Sequence, residues 1–140
     1  MFVLFMRDGS RLEVPAADRL EALREAVRHG AAALQLDDDP AARLDAAGVL
    51  QALGLGRPGL FDGYGPHWSP PTDAEVRELL KVARLTSSTA GRLVGVSGGK
   101  VRKWAGKEPG LVMPYAVWRL LSTYAGAAPF SHVLDNEIKD

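Results

Sequence analysis

Between residues 85 and 106 the chain carries residue types at spacings suited to gripping a polyanion. Gly99, Arg102, Lys103 and Gly106 follow the i, i+3, i+4, i+7 spacing of one helix face, so a helix here presents a small, positive outer surface. Val101 and Trp104, three apart, fall on the opposite side and face inward. Just upstream, Gly91 and Gly95 are spaced for two short helices meeting at a sharp turn. Gly91 stands where the crossing leaves no room for bulk, and Gly95 where the turn favours a left-handed backbone. Leu93, Val94 and Val96 are the residues expected to fill the crevice between the helices. The chemistry offered is non-covalent: cationic donors on a face with little steric relief.

Other constellations are weaker. Gly54-Leu-Gly56-Arg-Pro-Gly59 matches G-x-G-x-x-G in letters, but it follows a helical pattern instead of a strand and contains a proline, the wrong context for a dinucleotide site. Gly95 to Val101 has the look of a phosphate loop, yet Val94 replaces its first glycine and Val101 its metal-binding hydroxyl. Asp37-Asp38-Asp39 reads as a solvated acidic run before a helix instead of a cation site. His29, His67 and His132 have no metal-ligand spacing, and with no cysteine there is no thiolate nucleophile, disulfide or cysteine zinc site. No catalytic residue, metal or cofactor is expected. Trp104 and Trp118 read as core anchors at helical spacing instead of base-stacking platforms.

The elements that must position the basic face begin at Thr72, which with Glu75 three residues on forms a capping-box start. Val76, Leu79, Leu80 and Ala83 supply the buried side of that first helix. Ahead of it, residues 54–71 hold five glycines and four prolines and are expected to be a linker, although Phe61, Tyr64 and Trp68 are sticky enough to pack on one unit or on a partner chain. In the N-terminal part, Phe2–Met6 and Arg11–Val14 flank Asp8-Gly9, which predicts a β-hairpin. Leu20, Leu23 and Val27 mark one face of a following helix that stops at Gly30. Ala31 to Leu36 is expected as a third strand, and Asp39-Pro40 as the start of a second helix ending near Leu53-Gly54. The expected class is α+β: a ββαβα unit over 1–53, the linker over 54–71, an all-α domain of four to five helices over 72–125, and a tail over 126–140.

Net charge is zero, but it is unevenly spread. Residues 1–71 hold seven Lys/Arg against ten Asp/Glu, residues 72–125 nine against four, and residues 126–140 one against three. A basic segment between acidic ones suits a DNA-facing module joined to something that does not face DNA. No apolar run approaches the roughly 18 residues of a spanning helix, and the opening Met-Phe-Val-Leu-Phe-Met is too short for a signal peptide, so a cytoplasmic protein without membrane association is expected.

In Leu85-Thr86, Gly91, the Gly95-Val96-Ser97 turn, Val101 and the pair Lys103-Trp104, the chain resembles the Cro/C1-type helix-turn-helix family over residues 72–125. Met113 to Leu121 resembles the helix that closes such domains in compact regulators carried by mobile elements. The resemblance implies that the helix beginning at Ser97 lies in the major groove, with Ser97, Lys100, Arg102 and Lys103 contacting DNA and Ser87 touching a phosphate. Gly98 and Gly99 stand where the family carries longer, base-reading side chains. Two readings of the pair are open: close approach of backbone to duplex, or a helix weakened by about 1 kcal/mol per glycine.

The function so implied is a transcriptional repressor or autorepressor, acting as a homodimer on an inverted repeat and excluding polymerase sterically, and not an enzyme. Residues 1–53 would then be the dimerisation module, through the hairpin's exposed edge. The alternative from a different class is an interaction protein, an inhibitor of a host defence system or an antitoxin, whose residues 1–53 bind a protein partner while the helix-turn-helix serves autoregulation.

Overall fold

A computed structural model describes residues 2–36, 41–106 and 111–127. The chain divides between Gly56 and Arg57 into two compact units. In the first, strands β1 (Phe2–Phe5) and β2 (Arg11–Val14) form the hairpin read from Asp8-Gly9. The Asp8 carboxylate accepts from Ser10 N at 2.9 Å, and Gly9 takes the left-handed φ of 89° that the turn demands. Helix α1 (Arg19–Arg28) is capped by Asp18, which accepts from Glu21 N at 2.9 Å. Strand β3 (Ala33–Gln35) pairs with β1, so the order is β2-β1-β3-β4, all antiparallel, once β4 (Arg43–Asp45) is added.

Strand β4 corrects the ββαβα reading to ββαββα. The second helix, α2 (Ala46–Ala52), is capped by Asp45, which accepts from Gly48 N at 2.7 Å. The expected start at Asp39-Pro40 lies outside the described residues, and it misled because Asp-Pro and Asp45 both carry a cap signature while Arg43-Leu44-Asp45 is too short to register as a strand. Leu12, Leu4, Leu34 and Leu44 stand opposite one another in one cross-strand row. Leu4 and Leu34 are fully buried with Val14, Ala22, Leu23, Ala26, Val27 and Val49 around them. Leu20, expected on the buried face of α1, is instead 43% exposed, because Ala22 and Ala26 turn the narrow side of the helix to the core.

The second unit contains α3 (Asp73–Ala83), α4 (Ser87–Val94), α5 (Gly98–Ala105) and α6 (Tyr115–Tyr124), consistent with an α+β chain whose second part is helical. Its core joins Val76, Leu79, Leu80, Val82, Ala90, Val101, Trp104, Met113, Trp118 and Leu121. Residues 57–71, expected as linker, belong to this unit. They form no regular element but are fastened to it: Leu60 is fully buried, Trp118 Nε1 donates to Leu60 O at 2.8 Å, and Arg119 Nη1 donates to Phe61 O at 3.0 Å. Phe61 stacks on Trp118 with centroids 5.6 Å apart, and Trp68 meets Tyr115 edge-on at 5.1 Å. Composition forbade a helix or strand here, but the backbone polar groups found side-chain partners instead.

One ion pair closes this segment onto α3. Arg57 donates to Glu75 through Nε at 3.0 Å and Nη2 at 2.8 Å, and Thr72 N donates to Glu75 Oε1 at 2.8 Å within the expected capping box. Burial pushes the Glu75 carboxyl up, but the Arg57 and Thr72 donors outweigh it and hold it below the ordinary glutamate value. A carboxyl depressed in the folded state adds stability that is present above its unfolded pKa and lost as pH falls through the folded one. The helical unit is therefore expected to lose stability on acidification below the ordinary glutamate range. Glu75→Gln should lessen that loss in melts recorded from pH 6 to pH 3, and an unaltered acid-dependence in the variant would show that the pair does not contribute to it.

Candidate nucleic-acid interface

The sharp turn between α4 and α5 is built on Gly91. Its backbone carbonyl accepts from Gly95 N and Val96 N, both at 2.9 Å, and Gly95 adopts φ 81° at the end of α4. A Cβ on Gly91 would lie 2.6 Å from Val96 O and 3.0 Å from both Ser97 C and Gly98 N, all backbone atoms. No side chain fits there, so the reading of Gly91 holds. Val101 (fully buried) and Trp104 (4% exposed) point into the core as read. Of the residues expected to fill the crevice, Leu93, Val94 and Val96 are only half-buried, and Ala90 takes the interior place.

Helix α5 begins at Gly98, one residue later than expected, because Ser97 is its cap: Ser97 Oγ accepts from Lys100 N at 3.1 Å. Val101 and Trp104 fix the inward direction, which leaves Arg102 and Lys103 exposed on the outer side with Gly99 between them. Lys100 is exposed at the border of that face, its ammonium 5.8 Å from the Trp104 ring centre. Ser87 is the first residue of α4, behind a capping box made by Thr86 and Thr89. Gly98 lies against Ser88, so the start of α4 adjoins the start of α5 and all seven expected site residues fall in one neighbourhood.

The two glycines of the pair have different surroundings. A Cβ on Gly98 would stand 3.0 Å from Ser88 Cα and 3.3 Å from Ser88 N, so its bareness serves the approach of α5 to α4. A Cβ on Gly99 would meet only the end of the Arg102 side chain at 3.6 Å and Ser97 Oγ at 3.9 Å, ordinary contacts that leave room for it. The protein's own packing therefore explains Gly98 and gives no reason for Gly99.

Two positioning residues escaped the sequence reading. Ser88 supplies the backbone against which Gly98 rests, and only the paired bareness of positions 91 and 98 hinted at it. Arg77, on α3, donates through Nη1 to Ala105 O at 2.7 Å and to Asp73 Oδ2 at 2.8 Å. It thereby satisfies a carbonyl at the C-terminal end of α5, the end of a helix that attracts cations. Its i, i+4 spacing from Asp73 was legible, but the reach to α5 was not. Asp73 is held below the ordinary aspartate value chiefly by its hydrogen bond from Arg77.

The arrangement is a helix-turn-helix whose second helix turns a bare, cationic face outward. No family model matches the chain. Two sequences of the transcriptional repressor protein KorC from Escherichia coli do: one is 40% identical over 62 residues, the other 43% over 63, and each match spans 42% of this chain and 71% of the relative. The chain belongs to the family of these KorC repressors.

Alanine substitutions should separate the three glycines in thermal melts. Gly91→Ala forces backbone apart and is expected to cost about 1–3 kcal/mol, and Gly98→Ala a smaller loss of the same sign. Gly99→Ala should stabilise by up to about 1 kcal/mol, because its Cβ has room and alanine favours the helix. A destabilised Gly99→Ala protein would contradict the open space described at this position.

Proposed function

We propose that the chain is a sequence-specific double-stranded DNA-binding repressor of the Cro/C1 type, with α5 lying in the major groove. The observation that carries this reading is the outer face of α5, where Arg102 and Lys103 flank Gly99 on a helix held by Gly91, Gly98 and Arg77. Arg102 reads a base, because its planar fork matches both acceptors of a guanine. Lys103 and Lys100 act as point charges towards phosphates, while Ser87 and Ser97 offer hydroxyl and backbone donors at the two helix starts. Membership of the KorC family supports the repressor role.

One such helix spans only a few base pairs, so the chain works as a homodimer on an inverted repeat, with residues 1–53 as the dimerisation module. Repression is steric, by an operator that overlaps a promoter, and needs no cofactor or catalytic residue. Among the described residues, no helix is long and apolar enough to cross a membrane.

The neighbours on α5 are expected to behave differently. Arg102→Ala should cost about 1–3 kcal/mol on the operator and relax preference at one base pair in each half-site. Lys103→Ala should weaken specific and non-specific duplexes alike and lower the salt slope by about one for each phosphate that the lysine neutralises. Titrations of operator and scrambled duplex at several salt concentrations measure both effects. Unchanged affinity and slope in both variants would mean that this face does not meet DNA.

A further inference from the structure

We propose that two copies of the chain join along strand β2 in antiparallel register about Leu12, so that Arg11 of each copy stands opposite Glu13 of the other. The proposal rests on the homodimer reading above and specifies the surface that carries it.

Strand β2 is an edge of the sheet, and Arg11, Leu12 and Glu13 are all exposed. The hydrogen-bond pattern decides which of its backbone groups are available. In an antiparallel ladder a residue sends its N–H and C=O to the same side, and successive residues alternate. Met6 N donates to Ser10 O at 2.8 Å, so Ser10, Leu12 and Val14 turn their backbone groups to β1. Phe5 O accepts from Ala32 N at 2.8 Å on the far side of β1, as the alternation requires. Arg11 and Glu13 therefore direct N–H and C=O outward along the free edge. An unpaired edge of this kind is a template for another strand.

A two-fold axis through Leu12 uses those groups without remainder. Arg11 and the opposing Glu13 become a doubly hydrogen-bonded pair, repeated by symmetry, and Leu12 meets its own copy in the closer, non-hydrogen-bonded position. The side chains agree with the backbone. Opposite charges face each other in both outer pairs, and Leu12, 38% exposed, is covered by another leucine. A slip of one residue would lose both charge pairs and put Leu12 opposite a charged side chain.

The other edge, β4, carries Arg43 and Asp45 at the same spacing, but both are engaged. The Asp45 carboxylate caps α2 through Gly48 N, and the Arg43 guanidinium lies 3.8 Å from the Phe5 ring centre. On β2 the Glu13 carboxylate makes no hydrogen bond or ion pair among the described residues, and Arg11 stands farther from the same ring, at 5.4 Å. The edge with an uncommitted carboxylate, and with the more loosely held guanidinium, is β2.

The test is a charge swap in the full chain, read by sedimentation equilibrium over a concentration series, with a thermal melt to verify that each variant folds. Arg11→Glu and Glu13→Arg each place like charges opposite one another twice and should raise the dimer dissociation constant about tenfold. The double variant restores opposite charges with reversed polarity and should return the constant to near the wild-type value. A wild-type dimer that neither reversal weakens, or a double variant as weak as the singles, would overturn the β2 edge and leave the homodimer reading standing. A wild-type chain that is monomeric throughout would overturn both.

Discussion

The second unit depends on one close approach, that of the α4–α5 turn to Gly91. With Val96 O placed where a side chain would begin, helix α5 can leave the turn only in a narrow range of directions. That direction puts Val101 and Trp104 in the core, and the helical period then obliges Arg102, Lys103 and Gly99 to face away. Gly98 against Ser88 brings α5 onto α4 at its start, and Arg77 holds it at its end. A cationic face on a fixed helix is useful for reading a groove, because little ordering entropy is left to lose on binding.

The rest of the unit stiffens this arrangement from the outside. Residues 57–71 cover Trp118 and are tied to α3 by the Arg57–Glu75 pair and to α6 by the Trp118 and Arg119 side chains. A surface ion pair contributes little, but Glu75 is 7% exposed at its side chain and also closes the cap of α3. Removing Arg57 would leave a buried carboxylate short of its donors, the costly half of such a pair. The stiffness of the helical unit thus draws on a segment that contains no regular secondary structure.

Much of this was legible. Local chemistry announced the Asp8-Gly9 hairpin, the Thr72/Glu75 capping box and the Gly91/Gly95 turn, because each depends on residues within a few positions of one another. What stayed hidden was decided at long range. The carbonyls of Leu60 and Phe61 meet α6 side chains 58 residues away, which no spacing rule exposes, so a Gly/Pro-rich stretch read as linker. Strand β4 is three residues long and visible only through its pairing with β3. For the candidate site, residue types and faces were readable. The difference between Gly98 and Gly99 was not, since it lies in what a Cβ would meet on another helix.

The central claim is that α5 reads DNA as one half of a symmetric pair. Selection of duplexes from a random pool by the full chain tests it most directly. The account predicts enrichment of an inverted repeat whose half-sites are centred about one helical turn apart, or a multiple of it. Recovery of no enriched sequence, at salt low enough for the chain to bind duplex at all, would contradict it.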